Sequence, residues 1–283
     1  MADSRDPGTA AVDSSVSFIV TGFGPFQNAA ENPTTILARK LVEYLQQQEK
    51  CYGSSSALSI QQPRLSAMTQ TLVIETAAGA VHEQVDALYK TISTLQANTI
   101  TIVLHLGVNY RGKQFQVERC AYNEADFRIP DERGHQPRQQ PVVNKFVTGQ
   151  PLETLLNVSA LVACLNATDA ADIMTTTTQK DKADHHQESA ATTFTTTTTA
   201  AVPLAVVSTD PGRFVCNYIY CYSLDKFQCS TKVASTETKQ QPSSANRVLF
   251  LHVPPFEVCS EPVQLRVVSK LMHAIYEQVL GLQ

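Results

Sequence analysis

Residues 99–106, rich in β-branched side chains, read as a strand buried on both faces, and such a strand needs a layer of structure above and below it. Further apolar runs at 16–21, 71–76, 202–207 and 247–256 also read as strands. Segments with the helical period lie between them. Asn32 is a good N-cap, Pro33 suits the first helical position, and Leu37, Leu41 and Leu45 follow on one face. Residues 79–96 bring Val81, Val85 and Leu88 together at helical spacing, and 152–165 offer Leu155, Leu156, Leu161 and Val162 as core contacts. Ser260-Glu261-Pro262 opens a closing helix whose Val263, Val267, Leu271, Ile275 and Val279 form an apolar stripe. Residues 115–123 alternate like an edge or hairpin strand. Strands alternating with helices predict one α/β domain over 16–283, with a mixed, mostly parallel sheet and helices on both faces.

Two stretches fall outside that pattern. Residues 168–201 hold Thr175-Thr176-Thr177-Thr178 and a second threonine run, a low-complexity composition that cannot bury enough apolar surface to offset its ordering entropy. A second polar insertion covers 229–246, and residues 1–15 read as a disordered tail. His185-His186 could hold a metal adventitiously, but no third ligand stands nearby.

The formal net charge of −4 leaves no electrostatic footprint for nucleic acid, and no apolar run is long enough to span a bilayer. Without a basic-then-apolar leader at Met1, the cytoplasm is the expected compartment. Seven cysteines, an odd number without C-x-x-C spacing, fit reduced thiols better than disulfides or a zinc ribbon. Gly22-x-Gly24 is no dinucleotide fingerprint, because Gln27 stands where the third glycine is needed. His82-Glu83 is followed by Asp86, so no H-E-x-x-H metal motif exists.

The chemistry concentrates at Asp210-Pro211-Gly212-Arg213-Phe214-Val215-Cys216-Asn217, between a predicted strand and a predicted helix. A cysteine there lies close to the helix N-terminus, whose unpaired N–H groups and dipole favour a thiolate. The same N–H groups can hold the oxyanion formed when a thiolate attacks a carbonyl. Taken alone, Cys216 could equally be a buried core cysteine. His252 ends a later strand, as Cys216 follows one, so the two could meet over one sheet edge. Glu118, on an earlier strand, reads alone as an exposed carboxylate, yet it completes a thiol, base and orienter set. Phe23 and Phe26, in the first strand-to-helix loop, read as core or as grips for a flat apolar ligand.

Together these blocks resemble the pyroglutamyl-peptidase I (pyrrolidone-carboxylate peptidase) family of cysteine peptidases. The resemblance is carried by Val20-Thr21-Gly22-Phe23-Gly24-Pro25-Phe26 with Asn32-Pro33-Thr34, and by His105-Leu106-Gly107-Val108. It continues through Val117-Glu118-Arg119 to Arg128-Ile129-Pro130-Asp131, then Gly212-x-Phe214-Val215-Cys216-Asn217 and His252-Val253-Pro254. It spans nearly the whole chain from Phe18, apart from the insertions, and implies the phosphorylase/hydrolase-like form of that α/β fold.

The resemblance implies Cys216 as nucleophile, His252 as base and then acid, Glu118 as the orienter of the imidazole and Arg128 as a stabiliser of the reacting carbonyl. It implies Phe23, Phe26, Asn32, Ile129, Phe214 and Val215 around the pyroglutamyl ring. The substrates would be peptides with an N-terminal pyroglutamate, cleaved through a thioester without cofactor or metal; a homo-oligomer is compatible with it. Asn32 or backbone groups would meet the lactam N–H and C=O. Two rival readings remain: another small-amide cysteine amidohydrolase, and a catalytically silent binder of pyroglutamyl peptides. The second has no need of all of Glu118, Arg128, Cys216 and His252. Departures from the family pattern are Arg111-Gly112 in place of Gly-Arg, and Arg213 in place of a small or apolar residue near the pocket rim.

Overall fold

The computed structural model describes residues 15–27, 31–53, 63–94, 99–167, 202–229 and 246–282. In chain order these form β1 (Ser15–Phe23), α1 (Pro33–Gly53), the single turn α2 (Leu65–Met68), β2 (Thr69–Ile74), α3 (Ala78–Ser93), β3 (Thr99–Val108), β4 (Phe115–Glu118) and β5 (Cys120–Tyr122). There follow β6 (Pro151–Glu153), α4 (Val158–Ala167), β7 (Ala205–Ser208), α5 (Val215–Leu224) running into a π-helical turn (Asp225–Cys229), β8 (Arg247–Val253) and α6 (Glu261–Leu280).

Six strands make one sheet in the order β2-β1-β3-β8-β4-β7. Four of its five pairings are parallel; β4 runs antiparallel to β8. Alternation of side chains across the sheet divides the core in two. Phe18, Leu104, Val117 and Leu251 face the layer of α1, α4 and α6, while Ile19, Val103, Val248 and Phe250 face α3 and α5. The mixed, mostly parallel α/β architecture is as expected. No described helix is long and apolar enough to cross a membrane.

Local chemistry explains the first β–α unit. Asn32 Oδ1 accepts the Thr34 N–H at 3.0 Å, the bond of an N-cap. Leu37, Leu41 and Leu45 are buried on the inner face of α1. A Cβ on Gly22 would stand 2.1 Å from the Thr34 carbonyl oxygen, so β1 and α1 meet this closely only because the residue is glycine.

Several expectations change. Residues 115–123 are not one edge or hairpin strand: β4 is interior, between β8 and β7, and of the two only β5 is an edge strand, paired antiparallel with β6 in a separate two-stranded sheet. Residues 152–165 are a short strand and then a helix, and Leu155 points outward at 63% exposure. The strand expected at 202–207 is Ala205–Ser208, with Val202 exposed. Ser15 belongs to β1 rather than to a tail. Asn246 belongs to the fold rather than to the second insertion, because its buried Oδ1 accepts the Thr101 N–H at 3.1 Å. Residues 1–14, 168–201 (with His185-His186) and 230–245 lie outside the described residues.

Candidate active site

Cross-strand register puts three strands' contributions on one face. Gly107 pairs with His252, and Gln116 pairs with His252 from the other side, while Glu118 pairs with Phe250. Partners opposite one another share a face, so Gly107, His252 and Glu118 all point toward the α3–α5 layer. Glu118 is a diagonal neighbour of His252, a separation that long side chains bridge. The bridge is made: His252 Nδ1 lies 2.8 Å from Glu118 Oε1. Glu118 is fully buried, contrary to the exposed-carboxylate reading, because β4 is interior and α5 covers it. Tyr220 of α5 donates its hydroxyl to the Glu118 carbonyl at 2.9 Å, tying helix to strand at this level.

Cys216 is the second residue of α5 and half-buried, and its thiol lies close enough to the His252 ring to raise the pKa of that ring. A Cβ on Gly107 would lie 3.0 Å from Cys216 Sγ and 2.5 Å from Phe250 Cζ. The missing side chain at 107 is thus the space into which thiol and ring fit. The route by which Cys216 arrives differs from that expected. β7 runs antiparallel to β8, and its last residue, Ser208, is level with Glu118 and so with Phe250. Residues 209–214 then carry the chain to the sheet face beside Gly107.

Burial pulls the His252 pKa down, but hydrogen bonds to Cys216 and Glu118, with their negative charge, outweigh it and push the imidazole up to about 9. The histidine is therefore held as an imidazolium near neutral pH, beside the Cys216 side chain. Phe214 is the N-cap, and the first intrahelical bond of α5 runs from the Tyr218 N–H to the Phe214 carbonyl at 3.0 Å. Among the described residues the N–H groups of Val215, Cys216 and Asn217 have no acceptor, leaving donors beside the thiol.

The start of α5 is braced by residues whose role the sequence did not reveal. Buried Asn217 accepts the Tyr122 N–H at 2.7 Å and donates to the Tyr122 and Glu124 carbonyls, both at 2.8 Å. Arg213 is no pocket-rim intruder. It donates to Glu124 at 3.0 Å and to Asp210 at 2.8 Å, and its guanidinium lies 3.9 Å from the Tyr122 ring centre. Asp131 accepts the Ala78 N–H at 2.8 Å and so caps α3 from a distant loop. His105, fully buried, spans Thr21 at 2.7 Å and Ser223 at 2.9 Å, and burial lowers its pKa to about 3. It is a neutral cross-brace between β1 and α5.

The six residues expected around a ring divide. Phe26 and Phe214 are half-buried with ring centres 5.2 Å apart. Phe127, which no motif singled out, packs edge-on against Phe214 at 4.6 Å. Half-buried Ile129 and exposed Arg128 follow Phe127 directly in the chain, and no side-chain partner holds the Arg128 guanidinium among the described residues. Phe23 and Val215 are core residues, buried with Ile74, Ala77 and Ile219. Asn32 is committed elsewhere: Oδ1 takes the Thr34 N–H and hydroxyl, and Nδ2 donates to the Gly24 carbonyl at 3.1 Å. It shapes the Gly24–Phe26 loop. An open groove of about 380 Å³ lined by Glu31, Ile36, Arg39, Lys40, Phe256 and Glu261 contains none of Cys216, His252 or Glu118.

The family described as pyroglutamyl peptidase matches residues 16–177, more than half of the chain. None of the curated protein sequences matches it. Solved structures share its fold. A mutant pyrrolidone carboxyl peptidase from Pyrococcus furiosus superposes with a TM-score of 0.59 at 19% identity, covering 92% of this chain and 98% of that one. The pyrrolidone carboxyl peptidase from Thermus thermophilus gives 0.56 at 20% identity, over 91% and 99%. That from Fervidobacterium islandicum gives 0.59 at 19% identity, over 93% and 99%.

Proposed function

The chain belongs to the pyroglutamyl peptidase family, and from that premise we propose that it is a cysteine omega-peptidase that removes N-terminal pyroglutamate from peptides. The observation that carries the reading is the grouping of Cys216, His252 and Glu118, with the His252–Glu118 contact at 2.8 Å and the thiol near enough to the same ring to shift its pKa.

The geometry supports the following course of reaction. Cys216 is the nucleophile, and its thiolate adds to the carbonyl carbon of the pyroglutamyl residue. The oxyanion is held by N–H groups of the first turn of α5, and Arg128 assists from the neighbouring loop. The tetrahedral intermediate collapses, the C–N bond breaks, and His252 gives its proton to the departing amine. The neutral ring then takes a proton from water, which attacks the thioester; the thiolate leaves and pyroglutamate is released. Glu118 keeps the proton on Nδ1, so that Nε2 faces the reaction, and offsets the imidazolium charge.

Phe26 and Phe214 form the apolar wall for the lactam, with Ile129 at its edge. Phe23 and Val215 support that wall from the core, and Asn32 holds the Phe26 loop. Pyroglutamate has no free amine, so the wall needs no carboxylate to receive an ammonium. Cys120, Cys164, Cys216 and Cys259 are all thiols. That suits a reducing compartment, and we place the reaction in the cytoplasm.

The test is turnover of a pyroglutamyl fluorogenic amide beside its prolyl analogue, by the full chain with reductant. Cleavage of the pyroglutamyl amide alone is expected. Cleavage of the prolyl amide, or of neither, would overturn the assignment.

A further inference from the structure

Two loops that the catalytic assembly does not use border the thiol. One follows β3, the other β8, and they start from paired residues, Val108 and Val253. In the first, the Asn109 N–H donates to the Val253 carbonyl at 2.9 Å, directly beside His252. The Gly112 N–H closes a turn on the Asn109 carbonyl at 2.8 Å, and Asn109 Oδ1 accepts the Arg111 N–H at 3.1 Å. This fixed turn holds Tyr110 out of the core, 55% exposed. In the second loop, Val258 and Cys259 both donate N–H to the Pro255 carbonyl, at 3.0 and 3.1 Å. Gln264 of α6 clamps it from below, donating to the Pro254 and Cys259 carbonyls at 2.8 and 2.7 Å. Glu257 stands exposed on that loop, and its carboxylate has no hydrogen bond or ion pair among the described residues.

Tyr110 lies within electrostatic reach of Glu257 on one loop and of the Cys216 thiol. Burial first, then the charge of Glu257, then that of Cys216 push the Tyr110 phenol up. The lactam wall of Phe26 and Phe214 comes from the β1–α1 loop and the start of α5. A carbonyl held at Cys216 has its ring on that side, so its leaving amine points to the other, toward the loops after β3 and β8. An aromatic face beside an unpaired carboxylate complements a cation carried on an aliphatic stem, through ring stacking, cation–π attraction and an ion pair.

We propose that Tyr110 and Glu257 form the subsite for the peptide residue that follows pyroglutamate, and that they favour lysine or arginine there. The proposal rests on the peptidase reading above. Its test compares kcat/KM for three pyroglutamyl dipeptide amides, with arginine, alanine or glutamate second, in the wild-type chain and in Glu257→Lys, Tyr110→Ala and Glu277→Gln. Glu277 is an exposed carboxylate near the far end of α6 and controls for net charge.

In the wild type and in Glu277→Gln the arginine amide should exceed the glutamate amide by about three- to fivefold, the size of effect an exposed ion pair delivers, and the ratio should shrink with salt. Glu257→Lys should invert the ratio. Tyr110→Ala should lower it toward one, chiefly through KM for the arginine amide. Turnover with the same ratio in wild type and Glu257→Lys overturns the subsite and leaves the peptidase reading intact. Absence of turnover of all three amides by the wild type overturns both.

Discussion

His252 Nδ1 lies 2.8 Å from Oε1 of Glu118, while Oε2 of that same buried carboxylate has no hydrogen-bond partner among the described residues. A buried carboxylate with one oxygen orphaned is costly unless a cation stands beside it. The imidazolium is that cation. Charge on His252 therefore satisfies a cost built into β4, as well as readying a proton for the leaving amine.

That coupling makes stability depend on pH. The folded-state pKa of His252, about 9, lies above its ordinary value of 6.5. Such a group adds stability that is fully present below about pH 6.5 and is lost as pH rises through about 9. Thermal unfolding of the wild type should give a falling Tm across that window, and Glu118→Gln should flatten the fall. The same variant should cut kcat/KM by about 10²- to 10⁴-fold, the span of general acid–base catalysis. Equal slopes in both proteins would remove Glu118 from its assigned role.

Cys216→Ala should lower turnover by at least about 10³-fold, since the rest of the site cannot form a thioester. Cys216 is half-buried, so Tm at neutral pH should move little compared with a core substitution. Circular dichroism melts beside rate measurements separate the two effects.

Gly107→Ala tests the space shared by thiol and ring. The added methyl would stand 2.5 Å from Phe250 Cζ. Forcing that contact should cost about 1–3 kcal/mol in denaturant unfolding. It should also displace Cys216 from His252, so activity should fall further than stability does. A fully active variant would mean that the strand end yields easily.

The two arginines near the site should separate cleanly. Arg213→Ala removes bonds to Glu124 and Asp210 and should destabilise by about 1–2 kcal/mol. Arg128→Ala removes no side-chain hydrogen bond or ion pair among the described residues and should leave unfolding unchanged while lowering kcat. The opposite pattern would exchange their roles.

How much the sequence disclosed depended on range. The strand–turn–helix around Cys216 and the capped start of α1 were readable because local chemistry decides them: turn residues, Asn32, Pro33 and a leucine stripe. The interior position of β4 was not readable, since four alternating residues look the same in a hairpin and between two distant strands. Only pairing with β8 and β7 decides, and that pairing also buries Glu118. Asn32 was recognised as a cap, but nothing local says that capping and the Gly24 carbonyl use both ends of its amide. Phe127 and Asp131 act through partners more than 50 residues away, Phe214 and Ala78, which no spacing rule encodes.

The most direct test of the central claim is alkylation by a pyroglutamyl chloromethyl ketone, followed by peptide mapping and residual activity on one sample. The thiolate should displace chloride and leave one thioether on Cys216, with activity falling in proportion to its occupancy. Activity persisting with Cys216 fully alkylated, or lost with Cys216 unmodified, would contradict the account.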